Sequence, residues 1–185
     1  MFIQTEMTPN PATLKFLPGC VVMSTGTANF TAADLAATSP LAARLFGIGG
    51  VTGVFLGADF VTVTKDAQHE WESIKPIVLS AIMDHFTSGQ PVLVGDAGAS
   101  AGDVSGEDDE ITAQIKELIE TRVRPAVAQD GGDIVFRAFE DGIVYLHMQG
   151  SCSGCPSSTA TLRHGIENML RYYVPEVTEV RPVDW

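Results

Sequence analysis

Between Val94 and Asp109 the chain reads VGDAGASAGDVSGEDD, a run of small, polar and acidic residues with no aromatic and no basic side chain. Such a stretch offers too little apolar surface to offset the entropy lost on ordering it, and it is expected to be a flexible acidic linker over 94–109. This constrains the rest of the chain more than any other feature. A polypeptide of 185 residues interrupted at that point is expected to fold as two small domains, 1–93 and 110–185, each around its own core. With 45% hydrophobic residues, there is enough apolar material for both.

The charge excludes some partners. A formal net charge of -12 argues against nucleic acid, because phosphate binding draws most of its affinity from clustered Lys and Arg, and against an anionic membrane surface for the same reason. No apolar run approaches the roughly 20 residues a membrane span needs. The opening MFIQTEMTPNPATLKF lacks a basic segment followed by an apolar one, so nothing marks it for secretion. A start at MFIQTE without an Arg-rich presequence is the expectation for a bacterial, cytoplasmic protein, and a processed chain of the mitochondrial matrix would look the same. Three cysteines are too few for a disulfide framework and odd in number, which favours thiols kept reduced.

Before the linker, MFIQTE and ATLKF predict two short strands joined across MTPNP, where Asn10-Pro11 favours a turn. Val51 to Leu56 and Phe60 to Thr64 predict a hairpin about Gly57 to Asp59. EWESIKPIVLSAIMDHFTSG predicts a helix with Trp71, Ile74, Val78, Ile82 and Phe86 on one face, ended near Gly89; Pro76 must fall in its first turns or kink it. The sum is an α+β domain with no ligand set of its own.

After the linker, Ile111, Ile115, Leu118, Ile119 and Val123 share a helical face, which Pro125 and Gly131-Gly132 are expected to end. DIVFRAFEDGIVYLHMQG predicts a hairpin about Asp141-Gly142. A loop GSCSGC follows, then a helix with Leu162, Ile166, Met169, Leu170 and Tyr173 on one side, and EVTEVRPV as a last strand. The order is α-β-β-α-β, a second small α+β domain.

Cys152 and Cys155 therefore fall between a strand and a helix, with Pro156 at the first helical position. Free N–H groups and the helix dipole at that end are expected to stabilise thiolate and lower its pKa. Four readings compete. Two cysteines filling space in a turn would find only glycine and serine around them. A thioredoxin-like dithiol usually has a proline between its cysteines and a βαβ neighbourhood, whereas here Pro156 follows the pair and a hairpin precedes it. A closed zinc site needs four ligands, and His147 and His164, the other donors in this domain, read as structural or solvated residues. An iron-sulfur cluster fits better, since soft thiolates hold it, most often four of them. One chain supplies half that number, and two chains about a two-fold axis supply all.

These residues also carry a family resemblance. RVRPAVAQDGGDIVF and GSCSGCPSSTATLRHGIENML, in that order, closely resemble the C-terminal domain of the NifU/Nfu family of iron-sulfur scaffold and carrier proteins, and TPNPATLKFLPG resembles the N-terminal domain joined to it in mitochondrial and alphaproteobacterial members. The resemblance covers nearly the whole chain. It implies a non-enzymatic protein that receives a cluster from upstream assembly proteins, usually a 4Fe-4S cluster shared between the two subunits of a homodimer, and delivers it to apo iron-sulfur client proteins. The family's ligand cysteines map onto Cys152 and Cys155; Cys20 is outside the motif and reads as a small strand-edge residue. The larger members' extra cysteine-rich domain has no counterpart here, which implies a carrier or late scaffold.

Weaker motifs resolve to structure. GIGGVTG has Thr52 where a dinucleotide loop needs its third glycine and a strand after it, so it reads as a turn. HEWES has Ser73 where a zinc-protease helix needs its second histidine. The carboxylates of DGGD flank glycines expected to supply positive φ at a helix end. Limited proteolysis is expected to cut first within 94–109 and leave two compact fragments, which mass spectrometry of the early products would check.

Overall fold

The structure, a computed structural model, describes residues 1–94, 109–153 and 156–184, with 156–158 by their backbone alone. The expectations placed on residues 95–108 of the linker and on Gly154 and Cys155 lie outside the described residues. The chain divides into two compact units, Met1–Ser100 and Ala101–Trp185. Both are α+β. Among the described residues, no helix is long and apolar enough to cross a membrane.

In the first unit the elements run β1 (Gln4–Met7), β2 (Thr13–Leu17), β3 (Ala28–Phe30), a 3-10 turn (Ala33–Thr38), α1 (Pro40–Phe46), β4 (Val51–Leu56), β5 (Val61–Lys65) and α2 (Trp71–Ser88). The strands form one antiparallel sheet in the order β1-β2-β5-β4-β3. Its register sets Leu14 opposite Val63 and Phe16 opposite Val61; all four are buried in a core shared with Leu41 and Leu45 of α1 and with Ile74, Val78 and Ile82 of α2. Both hairpins and the helix follow the sequence pattern. Phe60 belongs to the turn: its carbonyl accepts from the Gly57 amide at 2.9 Å, and its ring occupies the space where a Gly57 Cβ would lie, 2.3 Å away.

Two short elements were not foreseen. β3 spans three residues and α1 seven, too few for a period to show. The local signal for α1 was Ser39-Pro40, an N-cap followed by proline at the first helical position. The Ser39 hydroxyl accepts from the Ala42 amide at 3.1 Å and donates to the Val92 carbonyl at 2.6 Å, which ties the segment after α2 back to the start of α1. Pro76 lies in the second turn of α2, and Gly89 ends the helix at φ 67°. The first four residues of GIGGVTG make the turn before β4, where Gly50 at φ 95° lies against the His69 ring, and VTG opens the strand itself.

The second unit contains α3 (Glu110–Leu118), a π-helical turn (Ile119–Val123), α4 (Arg124–Gln129), β6 (Gly132–Glu140), β7 (Ile143–Gly150), α5 (Pro156–Tyr173) and β8 (Glu179–Val183). The sheet order is β6-β7-β8. Asp141 and Gly142, both at positive φ, make the β6–β7 turn, as Asp-Gly pairs do. β8 runs parallel to β7, with Val144 opposite Val180, so α5 is the crossover of a β7-α5-β8 unit. The hairpin before the cysteine loop is thus only half of its neighbourhood, and the objection to a redox pair drawn from a missing βαβ unit does not hold. Nor does Pro125 end the first helix. The π-turn lets the Arg124 amide donate to the Ile119 carbonyl, five residues back, which eases the ladder where the proline ring lacks a donor. The helix then continues to Gln129. Ile115, Ile119, Val123 and Val127 of the first helical segment and Ile166 and Leu170 of α5 share one core with Ile134, Val144, Leu146 and Val180 of the sheet.

His85 of α2 has 0% exposure, and neither ring nitrogen makes a hydrogen bond of normal geometry. Burial first, and then the positive charge of Arg44, push its pKa below the ordinary 6.5, and an interaction with the Gln90 backbone opposes them only in part. Because the unfolded chain then binds the proton more readily, stability is fully present above the ordinary value and falls as the pH drops below it. Urea unfolding of the first unit between pH 7 and 5 is expected to lose up to about 1.4 kcal/mol per pH unit through this group, and His85→Leu is expected to flatten that slope.

Candidate functional site

The cysteine loop begins where β7 ends at Gly150, which pairs with Gly132 at the start of β6. Gly131 at φ 80° and Gly150 at φ 64° turn the chain at the two ends of this pairing. Short polar links then hold the loop. The Ser151 amide donates to the Gly131 carbonyl at 3.3 Å and its hydroxyl to the Asp130 carbonyl. The Ser153 hydroxyl donates to the Gly150 carbonyl at 2.9 Å, and the Thr159 hydroxyl of α5 donates to the Cys152 carbonyl at 3.1 Å.

Cys152 is a core residue, 4% exposed. Its sulfur rests against Gly132, where a Cβ would come within 2.5 Å of Sγ and 2.8 Å of the Gln149 carbonyl oxygen. Gly131 supplies the positive φ that the sequence led one to expect of this pair, and Gly132 supplies room.

Burial pushes the Cys152 thiol up to about 12; Asp130 and Asp133 nearby push the same way, and a hydrogen bond with Ser151 opposes them. The expectation of a lowered pKa is therefore corrected. α5 begins only at Pro156, the field of a helix end fades within a turn, and desolvation of the anion outweighs it. As folded, burial favours the neutral thiol here, and thiolate is the form that attacks or ligates. Cys155 lies outside the described residues.

Beside the loop, Arg124 holds Asp133 with two parallel bonds, Nε to Oδ1 and Nη2 to Oδ2, each 2.8 Å, and donates from Nη1 to Glu120 Oε1 at 2.7 Å. The Asp133 side chain is 5% exposed, and its Oδ1 also accepts from the Ile134 amide at 2.8 Å. The paired carboxylate holds the guanidinium well above its ordinary pKa. DGGD is thus structural, as the sequence suggested, but the ion pair was not legible: its partners stand nine residues apart across a helix end, where no periodicity joins them.

The other candidates separate. His147 Nδ1 lies 3.0 Å from the Val183 carbonyl oxygen, bridging β7 and β8. His164 is exposed on α5. Cys20 belongs to the first unit, in a bend beyond the end of β2 rather than on a strand, half-buried and with its thiol pushed up by that burial. Among the described residues, no group of three or more His, Cys, Asp or Glu side chains is placed to hold a metal ion.

Comparison with known proteins decides the family. The profile described as "Scaffold protein Nfu/NifU N terminal" matches residues 3–89, and that described as "NifU-like domain" matches residues 115–181. A Homo sapiens protein named NFU1 iron-sulfur cluster scaffold homolog, mitochondrial, is 53% identical over 184 residues, 99% of this chain and 72% of its own length. The chain belongs to the Nfu/NifU family. A Drosophila ananassae relative of the same name is 52% identical over 184 residues, and this chain spans 64% of its length. The solution structure of a NifU-like protein from Saccharomyces cerevisiae is 30% identical, with a TM-score of 0.47 over 52% of this chain and 87% of that one. The Nfu/NifU resemblance implied by the cysteine motif and by the opening segment is thereby established for both halves.

In this family member, removing Arg124 takes the two-bonded cationic partner away from a buried carboxylate. Arg124→Ala is expected to destabilise the second unit by about 3 kcal/mol, and Arg124→Met combined with Asp133→Leu to recover most of that loss. Urea unfolding of the three proteins is the measurement.

Proposed function

We propose that the chain is an iron-sulfur scaffold or carrier whose C-terminal domain, 110–185, binds a 4Fe-4S cluster as cargo through Cys152 and Cys155, shares it between two subunits, and passes it to apo iron-sulfur client proteins. The observation that carries this reading is the near full-length match to proteins named as iron-sulfur cluster scaffolds, joined to a soft-donor pair in the matching half. Iron-sulfur clusters are held by thiolates, most often four. A chain that brings two in this loop completes the set with a second copy. Two ligands per subunit also suit a cargo that must be released, because opening the dimer halves the ligand set.

Binding couples to deprotonation. Coordination of Cys152 drives off the proton that burial retains, so iron uptake releases protons. A dithiol oxidoreductase using the same pair is the lesser reading. The βαβ crossover suits it, but an attacking thiol needs access and thiolate character, and Cys152 has neither as folded. The domains 1–93 and 110–185 would divide the work across the linker, the first toward clients and upstream assembly proteins, the second toward the cluster. The mitochondrial names of the relatives favour the organellar of the two locations over the cytoplasm.

Reconstitution with iron and sulfide under anaerobic conditions is expected to give a brown dimer carrying about four irons per pair of chains, with apoprotein more monomeric at the same concentration. Cys152→Ser or Cys155→Ser should lose both the iron and the shift in association, serine being the harder and less acidic ligand, while Cys20→Ser keeps both. Size-exclusion chromatography with iron and sulfide analysis reads the result. A monomer with a full cluster, or a Cys152→Ser protein that retains one, would overturn the shared site, and insulin reduction by the colourless apoprotein would favour the oxidoreductase.

A further inference from the structure

We propose that Gly132 is a positioning residue for Cys152: the side chain it lacks leaves a niche that keeps the sulfur retracted in the core of the metal-free unit, and the sulfur leaves that niche before a cluster is held. The second half of this rests on the function proposed above. The first half stands on geometry alone.

Gly132 does not adopt positive φ, so its backbone would accept alanine. What excludes a side chain is the loop itself: a Cβ would lie 2.5 Å from Cys152 Sγ, 2.8 Å from the Gln149 carbonyl oxygen and 3.0 Å from the Cys152 amide nitrogen. The glycine therefore sets where the sulfur can rest. A cluster shared by two chains lies outside the core of each, whereas Cys152 is 4% exposed and packs with that core. Ligation and retraction are thus two positions of one side chain. Passing from one to the other costs the hydrogen bonds that hold residues 151–153, made by the Ser151 amide and hydroxyl, the Ser153 amide and hydroxyl and the Thr159 hydroxyl, each of modest net strength, while the strands on which these residues are mounted stay paired from Gly132 and Gly150 onward. In the retracted position the thiol is shielded from oxidants and stray metal ions, whose access governs such reactions.

The test uses the full chain with Cys20→Ser and Cys155→Ser, so that Cys152 is the sole thiol, and follows alkylation by iodoacetamide without metal. Labelling in native buffer is expected to be at least about a hundredfold slower than in urea, as for a group that reacts only through local opening. Gly132→Ala should accelerate native labelling by about tenfold or more. Ile166→Val, a core substitution remote in sequence from the niche, should not, even where its loss of stability is comparable. With all three cysteines restored, Gly132→Ala should take up iron from a limiting supply faster than the parent chain. Native labelling as fast as in urea, or equal acceleration by Gly132→Ala and Ile166→Val, would overturn the niche. If Gly132→Ala does not fold, the native-to-urea ratio of the parent chain decides by itself. If labelling behaves as expected and no chain gains iron, the niche stands and the cluster reading falls.

Discussion

The second unit depends on a close approach of backbone to sulfur. β6 starts and β7 ends where Gly132 pairs with Gly150: Gly132 leaves room for the cysteine loop to fold back, and Gly150 makes the turn at φ 64°. Any larger residue at 132 would push the loop away from the sheet, and with it Cys152, the member of the core contributed by the loop. The Arg124–Asp133 pair braces the same point from the helix side. It anchors the first residues of β6 to the end of the π-turn, so helix, strand and loop meet where the thiol is kept. Interiors are packed densely enough that such a junction tolerates few alternatives.

How much of this the sequence disclosed follows from the range of each interaction. Elements with many residues of one period were legible, as with the face of α2 from Trp71 to Phe86 and the Asp141-Gly142 hairpin, because each is specified by neighbours within a few positions. The order α-β-β-α-β followed from the same local signals. β3 and α1 were too short to show a period. The parallel pairing of β8 with β7 is a long-range choice that a strand pattern does not encode. Pro125 misled because the rule that proline stops a helix assumes an unbroken ladder, and a π-turn had already shifted it.

The candidate site divides along the same line. The family was readable from the motif at residues 150–158. The protonation of Cys152 was not, because it follows from depth in the core rather than from place along the chain. A helix start four residues away argued for thiolate, and burial among apolar side chains argued more strongly for thiol. Desolvation wins whenever the charged form has no partner at hand. Local sequence gives the dipole, and only the packed structure gives the dielectric.

The parallel return of β8 also bears on the order in which the chain is synthesised. The β6–β7 hairpin closes through a two-residue turn and needs nothing made later, whereas β8 pairs with β7 only after the whole of α5 has emerged. A nascent chain leaving the ribosome thus carries the cysteine loop before the strand that completes its sheet exists, and the first unit, made earlier, can already be folded. For that interval Cys152 has no finished core to pack into. Its thiol is then exposed to the solvent that surrounds the nascent chain, and its burial waits on the last strand.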